Sequence, residues 1–150
     1  MGSNKNDATS EVFCIDPALT TPELESYNHI AKVCPYRLSY HLPAFQSMAP
    51  TFERERKYKP RGIVVLGSSC SVYDENPWQR ELEKWLAEKI AEKIPVLGMC
   101  YGHQLVAHIF GAKLGYLNEN RKSFKGFREI DICEKSPLVL SSQKGFLVAS

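Results

Sequence analysis

Two short apolar runs in the middle of the chain give the clearest structural pattern. Gly62 to Gly67 encloses four consecutive apolar residues between two glycines. This pattern is typical of a strand that is buried on both faces of a parallel sheet. Val96 to Met99 forms a second run directly after Pro95. We therefore expect two adjacent, parallel, interior strands, with a helix crossing between them.

A helical pattern follows each of these two predicted strands. Asn76 can cap a helix that has Pro77 at its first position, and Pro95 ends the pattern. The apolar stripe of this helix consists of Trp78, Leu82, Trp85, Leu86, Ile90 and Ile94. A second helix is expected from Gly102 to Phe110, with Gly111 ending it. The order strand, helix, strand, helix predicts a three-layer α/β fold with a doubly wound, mostly parallel sheet.

The residues before Gly62 carry weaker patterns. Val12 to Asp16 is expected to form a strand, and Thr21 to cap a helix that runs to about Val33. Tyr36 to Leu42 is a candidate second strand. The charged run from Glu53 to Lys59 is expected to be a solvated stretch.

The last part of the chain is expected to contain three more strands, at residues 112–116, 126–132 and 145–149. The apolar pattern continues to the end of the chain without a closing element, so we expect the α/β domain to be incomplete at its C-terminus. Residues 1–10 are polar and are expected to form a disordered lead to a single domain over residues 11–150.

Composition excludes several classes of function. The chain has 150 residues, of which 43% are hydrophobic and 24% charged, as in an ordinary soluble domain. A formal net charge of +2 is too small to indicate nucleic acid or an anionic membrane as a partner. The apolar runs are too short to span a bilayer. The N-terminus has no apolar block of the kind found in a signal peptide, so we expect a cytoplasmic protein.

The cysteine pattern argues against a metal site. The chain has five cysteines, an odd number, and no Cys-x-x-Cys pair occurs among them. Zinc sites and thioredoxin-like redox sites therefore are not indicated. Nothing else in the sequence indicates a metal or a cofactor.

One cysteine lies in a pattern that indicates chemistry. Gly98-Met99-Cys100-Tyr101-Gly102 has the spacing G-x-C-x-G between a predicted strand and a predicted helix. This is the cysteine counterpart of the nucleophile elbow, in which a sharp turn needs glycine on both sides of the nucleophile. Cys100 would lie at a helix N-terminus, which favours the thiolate, and the N–H of Tyr101 could stabilise an oxyanion. The alternative is a structural cysteine in an ordinary strand-to-helix turn.

Residues Gly98 to Gln104 resemble the nucleophile motif of class I glutamine amidotransferases. Gly67-Ser68-Ser69 and the Ser-Val-Tyr-Asp at 71–74 fall where the GMP synthase-like members have their oxyanion loop. The resemblance covers residues 62–132 well and implies a flavodoxin-like sheet. Taken with the expected missing end, it implies a C-terminally truncated domain of that family at residues 11–150.

The resemblance also implies a mechanism. Cys100 would attack the side-chain amide of glutamine, and the resulting thioester would be hydrolysed to glutamate. The ammonia would pass to a synthetase domain or a partner subunit. Backbone N–H groups of Ser68 and Tyr101 would form the oxyanion hole, and Gly67 and Gln104 would bind glutamine. The family usually has a second glycine where this chain has Ser68.

The family's catalytic His-x-Glu is missing from this sequence. None of its four histidines, which are His29, His41, His103 and His108, has an acid two residues later. Three interpretations therefore remain open. The chain is a fragment of an amidotransferase that is inactive alone, or a degenerate, non-catalytic binding module. It could also be a PfpI-like cysteine hydrolase, although that branch typically has histidine where this chain has Tyr101.

Overall fold

A computed structural model describes residues 10–115 and two further strands, at residues 127–130 and 146–149. The chain divides into two compact units, and the boundary follows Leu114. Residues 1–9 of the expected lead lie outside the described residues, and Ser10 is the first residue of a strand.

The first unit is built on a parallel four-stranded sheet. Its strands are β1 (Ser10–Ile15), β2 (Leu38–His41), β3 (Lys59–Val65) and β4 (Val96–Gly98). Their order in the sheet is β2-β1-β3-β4, and every described neighbouring pair is parallel. The helices are α1 (Leu24–Val33), α2 (Pro43–Gln46), α3 (Ala49–Lys57), α4 (Pro77–Ala91) and α5 (Tyr101–Ile109).

Alternate residues of β1 and β3 face two different apolar clusters. Ile63 and Val65 pack in a cluster with side chains of α4 and α5, whereas Val64 belongs to a cluster that includes Tyr27 and Ile30 of α1. Helices therefore cover both faces of the sheet, which gives the three layers that the sequence predicts. The α/β fold with a parallel sheet is confirmed, and β3 is buried on both faces as expected.

The predicted neighbour of β3 is confirmed, but its predicted burial is wrong. Ile63 pairs with Val96 and Val65 with Gly98 in parallel register. Within the described residues, however, β4 is only three residues long and forms the edge of its sheet. No described strand covers its outer side, so Leu97 is 49% exposed.

The helix predicted from Thr21 begins later, at Leu24, and Thr21 does not cap it. The backbone N–H of Glu23 donates instead to the buried carboxylate of Asp16 at 2.6 Å. Backbone N–H groups at a helix start are usually satisfied by the side chain of a nearby capping residue. Here the carboxylate of Asp16, seven residues before Glu23, accepts one of them. The end of the helix at Val33 is as predicted.

The charged run at residues 53–59 is not a solvated stretch, because most of it belongs to α3. Arg54 donates two hydrogen bonds to Glu11, which is fully buried. Glu55 accepts a hydrogen bond from the indole N–H of Trp85 at 2.7 Å and pairs with Lys89 at 2.5 Å. The charged side chains of Arg54 and Glu55 therefore bond α3 to β1 and α4 instead of only facing solvent.

The end of α5 agrees with the prediction, but the strand expected after it does not. Gly111 has φ +83°, and its N–H bonds to the carbonyl of His108, while Ala112 bonds to Ala107. This pair of bonds is a Schellman motif, in which glycine tolerates the left-handed backbone. Residues 112–115 then form no strand, and Tyr116 lies outside the described residues.

The second unit contains two of the predicted strands. They are β5 (Phe127–Ile130) and β6 (Phe146–Ala149), and they pair in antiparallel register. The remainder of both predicted segments lies outside the described residues.

In the first unit, the strand predicted at residues 36–42 is also present, as the shorter β2. Among the described residues, no helix is long and apolar enough to cross a membrane.

Candidate active site

Cys100 occupies a strained turn between β4 and α5. Its backbone has φ 49° and ψ −107°, in the left-handed half of the map that non-glycine residues seldom adopt. A Cβ on Gly98 would lie 2.5 Å from the backbone of Gly102, and a Cβ on Gly102 would lie 2.3 Å from the carbonyl oxygen of Val65. Both glycines are therefore required for the turn, as the G-x-C-x-G spacing predicts.

The turn exposes Cys100 to an open pocket with a volume of about 690 Å³. That volume lies within the usual range for sites that bind small molecules. Three segments form the walls: the connection from β1 to α1 with the first turn of α1, the loop after β3, and the elbow itself. The lining residues are Ala18, Leu19, Thr20, Thr21, Glu23, Ser26, Gly67, Ser68, Ser69, Met99 and Cys100.

Two backbone donors that the sequence predicts for an oxyanion hole are free among the described residues. Tyr101 is the first residue of α5, and no described group accepts its N–H or that of Ser68. The Tyr101 side chain has a different task, since it is buried and its hydroxyl accepts a hydrogen bond from Gln79 at 3.1 Å. Burial raises the pKa of this hydroxyl to about 12, so the phenol is neutral at ordinary pH.

The hydroxyl of Ser68 holds the loop after β3 in place. It donates to the carbonyl of Pro17 at 2.7 Å and accepts the N–H of Cys70 at 3.2 Å. A glycine at this position could make neither bond. The loop of this chain is thus fastened to the opposite wall of the pocket. Gly67 lies beside the elbow, where an added Cβ would be 3.5 Å from the Cβ of Cys100.

Gln104, like Tyr101, is a predicted site residue whose side chain does not line the pocket. Its backbone N–H bonds to the carbonyl of Cys100 at 3.0 Å, one helical turn away. Its side chain is exposed on α5 and is not part of the pocket wall.

Sequence reasoning missed the wall between β1 and α1. Asp16 is fully buried there and accepts the N–H groups of Ala18 at 3.0 Å and Glu23 at 2.6 Å. The hydroxyl of Tyr40 donates to the same carboxylate. The available signal was an acidic residue at the carboxyl end of an apolar strand, the edge where parallel sheets place their ligands.

None of the four histidines lines the pocket. His41 is buried, and its ring nitrogens are 2.8 Å from the Ser39 hydroxyl and 3.1 Å from the Thr51 hydroxyl. Burial lowers the pKa of His41 to about 4. His108 packs edge-on against Tyr73 and lies 3.7 Å from Glu83. His29 and His103 are exposed.

The surroundings of the other described cysteines differ from those of Cys100. Cys14 is fully buried. Burial is the main cause that raises the pKa of its thiol to about 12, and the negative charge of Asp16 is the second. Burial also raises the pKa of the Cys70 thiol, which lies 2.9 Å from the Ser68 hydroxyl. Cys34 is partly exposed, and Cys133 lies outside the described residues.

Comparisons with known proteins identify the family of this chain. The family model for glutamine amidotransferase class-I matches residues 24–145. The GMP synthase [glutamine-hydrolyzing] of Bacillus subtilis (strain 168) is 46% identical over 65 residues, which are 43% of this chain and 12% of that protein. The protein of the same name from Wolbachia pipientis wMel is 34% identical over 90 residues, 59% of this chain and 16% of that protein.

A longer and weaker match comes from the GMP synthase [glutamine-hydrolyzing] of Alkaliphilus metalliredigens (strain QYMF). It is 29% identical over 113 residues, which are 75% of this chain and 19% of that protein. The chain therefore spans less than a fifth of the length of each of these three relatives. No solved structure matches. With a family model that covers most of the chain, including the elbow at Cys100, the chain belongs to the class-I glutamine amidotransferase family.

Proposed function

We propose that the pocket at Cys100 binds glutamine and that Cys100 is the nucleophile that cleaves its side-chain amide. The observation that carries this proposal is the strained, glycine-flanked turn that exposes the thiol in a pocket. Strain of this kind persists where the surrounding structure enforces it, and it is concentrated at functional sites.

The proposed reaction has two steps. The thiolate attacks the amide carbon, and the negative charge that develops on oxygen is stabilised by the free N–H groups of Ser68 and Tyr101. The amide nitrogen then takes up a proton, the C–N bond breaks and ammonia leaves. The product is a glutamyl thioester on Cys100. Water hydrolyses the thioester to glutamate and regenerates the thiol.

Both steps require a proton carrier of near-neutral pKa. The family relies on a His-x-Glu for this work, and none of the histidines of this chain lines the pocket. General acid–base catalysis contributes roughly 10²–10⁴-fold to a rate. We therefore propose that the 150-residue chain alone has little glutaminase activity, and that the base belongs to a further segment or subunit.

We also propose that the ammonia is used by a synthetase domain or a partner subunit. This proposal rests on the names of the three relatives, each of which is a GMP synthase [glutamine-hydrolyzing].

Ammonia release from glutamine tests the proposed catalysis. The purified chain and a Cys100→Ala control are assayed with and without added imidazole, a small base that can enter an open pocket. We expect background release without imidazole, and release that rises with imidazole concentration in the wild-type chain only. Substantial release without imidazole would show that the chain contains a base of its own, and His41→Gln would be the first variant to assay.

A non-catalytic binding module is the second candidate function. The observation in its favour is that no histidine lines the pocket. The same assay separates the two candidates. Glutamine that binds, as measured by calorimetry, but releases no ammonia at any imidazole concentration would favour the binding module.

A further inference from the structure

We propose that Glu23 provides the subsite for the α-ammonium group of the amino-acid substrate. This inference rests on the proposed function, because it assigns one end of a substrate whose amide is expected at Cys100. Glu23 and Cys100 line the same pocket. Among the described residues that line it, Glu23 is the one with an acidic or basic side chain other than the thiol.

The carboxylate of Glu23 is available for a ligand. Glu23 is the residue before α1, yet its side chain makes no capping hydrogen bond to the helix. It forms no ion pair or hydrogen bond with any described residue, and it is exposed. The helix N-terminus favours a negative charge at this position.

The backbone that carries Glu23 is fixed from two sides. Its N–H donates to the buried carboxylate of Asp16 at 2.6 Å, and that carboxylate also accepts the N–H of Ala18. The hydroxyl of Ser68 holds Pro17 from the loop after β3. A carboxylate on a fixed support loses less freedom on binding than one on a mobile loop, so its contacts are stronger.

The charge of the pocket fits an amino acid better than a simple amide. An ammonium group gains a carboxylate partner at Glu23, and no described Lys, Arg or His lines the pocket to repel it. An amide of the same length without the ammonium group would leave Glu23 unpaired. Glu23 is therefore expected to select amino acids from among molecules that carry a primary amide.

The test uses two alkylating reagents that differ in a single group. One is the chloromethyl ketone analogue of L-glutamine, and the other is the same ketone without its amino group. In each case the Cys100 thiolate attacks the chloromethyl carbon, a C–S bond forms and chloride leaves. Mass spectrometry gives the rate of labelling at Cys100 for the wild-type chain, for Glu23→Gln and for the control Glu25→Gln. Glu25 is an exposed acid in the first turn of α1 that does not line the pocket.

We expect the wild-type chain and Glu25→Gln to react about fivefold faster with the amino ketone, the upper end for an ion pair in contact with water. Glu23→Gln should lose this preference and react with the des-amino ketone at the wild-type rate. A preference that survives in Glu23→Gln, or a wild-type chain with no preference, would overturn the assignment of Glu23. If L-glutamine fails to slow labelling of the wild-type chain by either ketone, the proposed function fails, and the subsite with it.

Discussion

The four described cysteines differ in what surrounds their thiols, and this difference decides which of them can react. Cys14 and Cys70 are buried, and burial raises the pKa of both thiols. Cys100 is exposed at the N-terminus of α5, where the helix dipole favours negative charge. The thiolate is the nucleophilic form of cysteine. Solvent exposure and the helix dipole therefore both favour reaction at Cys100.

Limited alkylation with iodoacetamide should therefore modify Cys100 first. Peptide mass spectrometry after a short reaction gives the labelled fraction of each cysteine, and the Cys100→Ala variant shows the background. Preferential labelling of Cys70 or Cys133 would count against a nucleophile elbow at Cys100.

Gly102, two residues after Cys100, should not tolerate any side chain. Gly102→Ala would place a Cβ 2.3 Å from the carbonyl oxygen of Val65, so strand and helix would have to separate. We expect a loss of about 1–3 kcal/mol in the free energy of unfolding, as for other overpacked sites. Urea denaturation measures it. Gly115→Ala is the control, since nothing lies within 4 Å of its Cβ, and an equal loss in both variants would contradict this account.

His41 should make the protein less stable in mild acid. Burial, assisted by the charge of Arg54 and opposed by that of Glu11, lowers the pKa of His41 from 6.5 to about 4 in the folded state. The unfolded chain thus binds a proton before the folded chain does, and stability is lost as the pH falls from about 6.5 towards 4. Between pH 7 and pH 5 the expected loss is about 2 kcal/mol. Urea denaturation should show a smaller loss in His41→Gln, and an equal one would remove His41 as the cause.

At the scale of elements, the parts of the fold that depend on local pattern were predictable and the parts that depend on distant partners were not. The apolar runs and the glycine spacing sufficed for β3, α5 and the elbow. The charged run in α3 resembled a solvated stretch because the partners of Arg54 and Glu55 lie on β1 and α4, far away in sequence. The start of α1 was misplaced for the same reason, since Asp16 bonds the N–H of Glu23 from across the loop.

The contact between α3 and α4 should depend on one carboxylate. Glu55→Ala removes the partner of the Trp85 indole N–H and one partner of Lys89, which is only 7% exposed. A loss of about 1–3 kcal/mol in the free energy of unfolding is expected, because buried polar groups lose their hydrogen bonds. Urea denaturation should show almost no effect for Glu53→Ala, which removes an exposed carboxylate from the same helix. Equal effects in the two variants would mean that α3 is held by other contacts.

At the scale of the whole first unit, the parallel sheet gathers the site from three separated segments. The carboxyl ends of β1, β3 and β4 lead into the three pocket walls, which hold Glu23, Ser68 and Cys100. Parallel strands bring such ends to one edge, which is why the sequence could predict the loop after β3 and the elbow together. The wall between β1 and α1 was missed because the acid that ends the first strand, Asp16, gave no indication that its carboxylate is buried and bonds the N–H groups of Ala18 and Glu23.

Protection of Cys100 by glutamine is the most direct test of the central claim, that this thiol is the nucleophile of a glutamine site. The chain is treated with the chloromethyl ketone analogue of L-glutamine, with and without L-glutamine, and the modified residue is identified by mass spectrometry. We predict a single modification, at Cys100, that glutamine slows and that is absent from Cys100→Ala. Modification spread evenly over several cysteines, or labelling of Cys100 that glutamine does not slow, would contradict the claim.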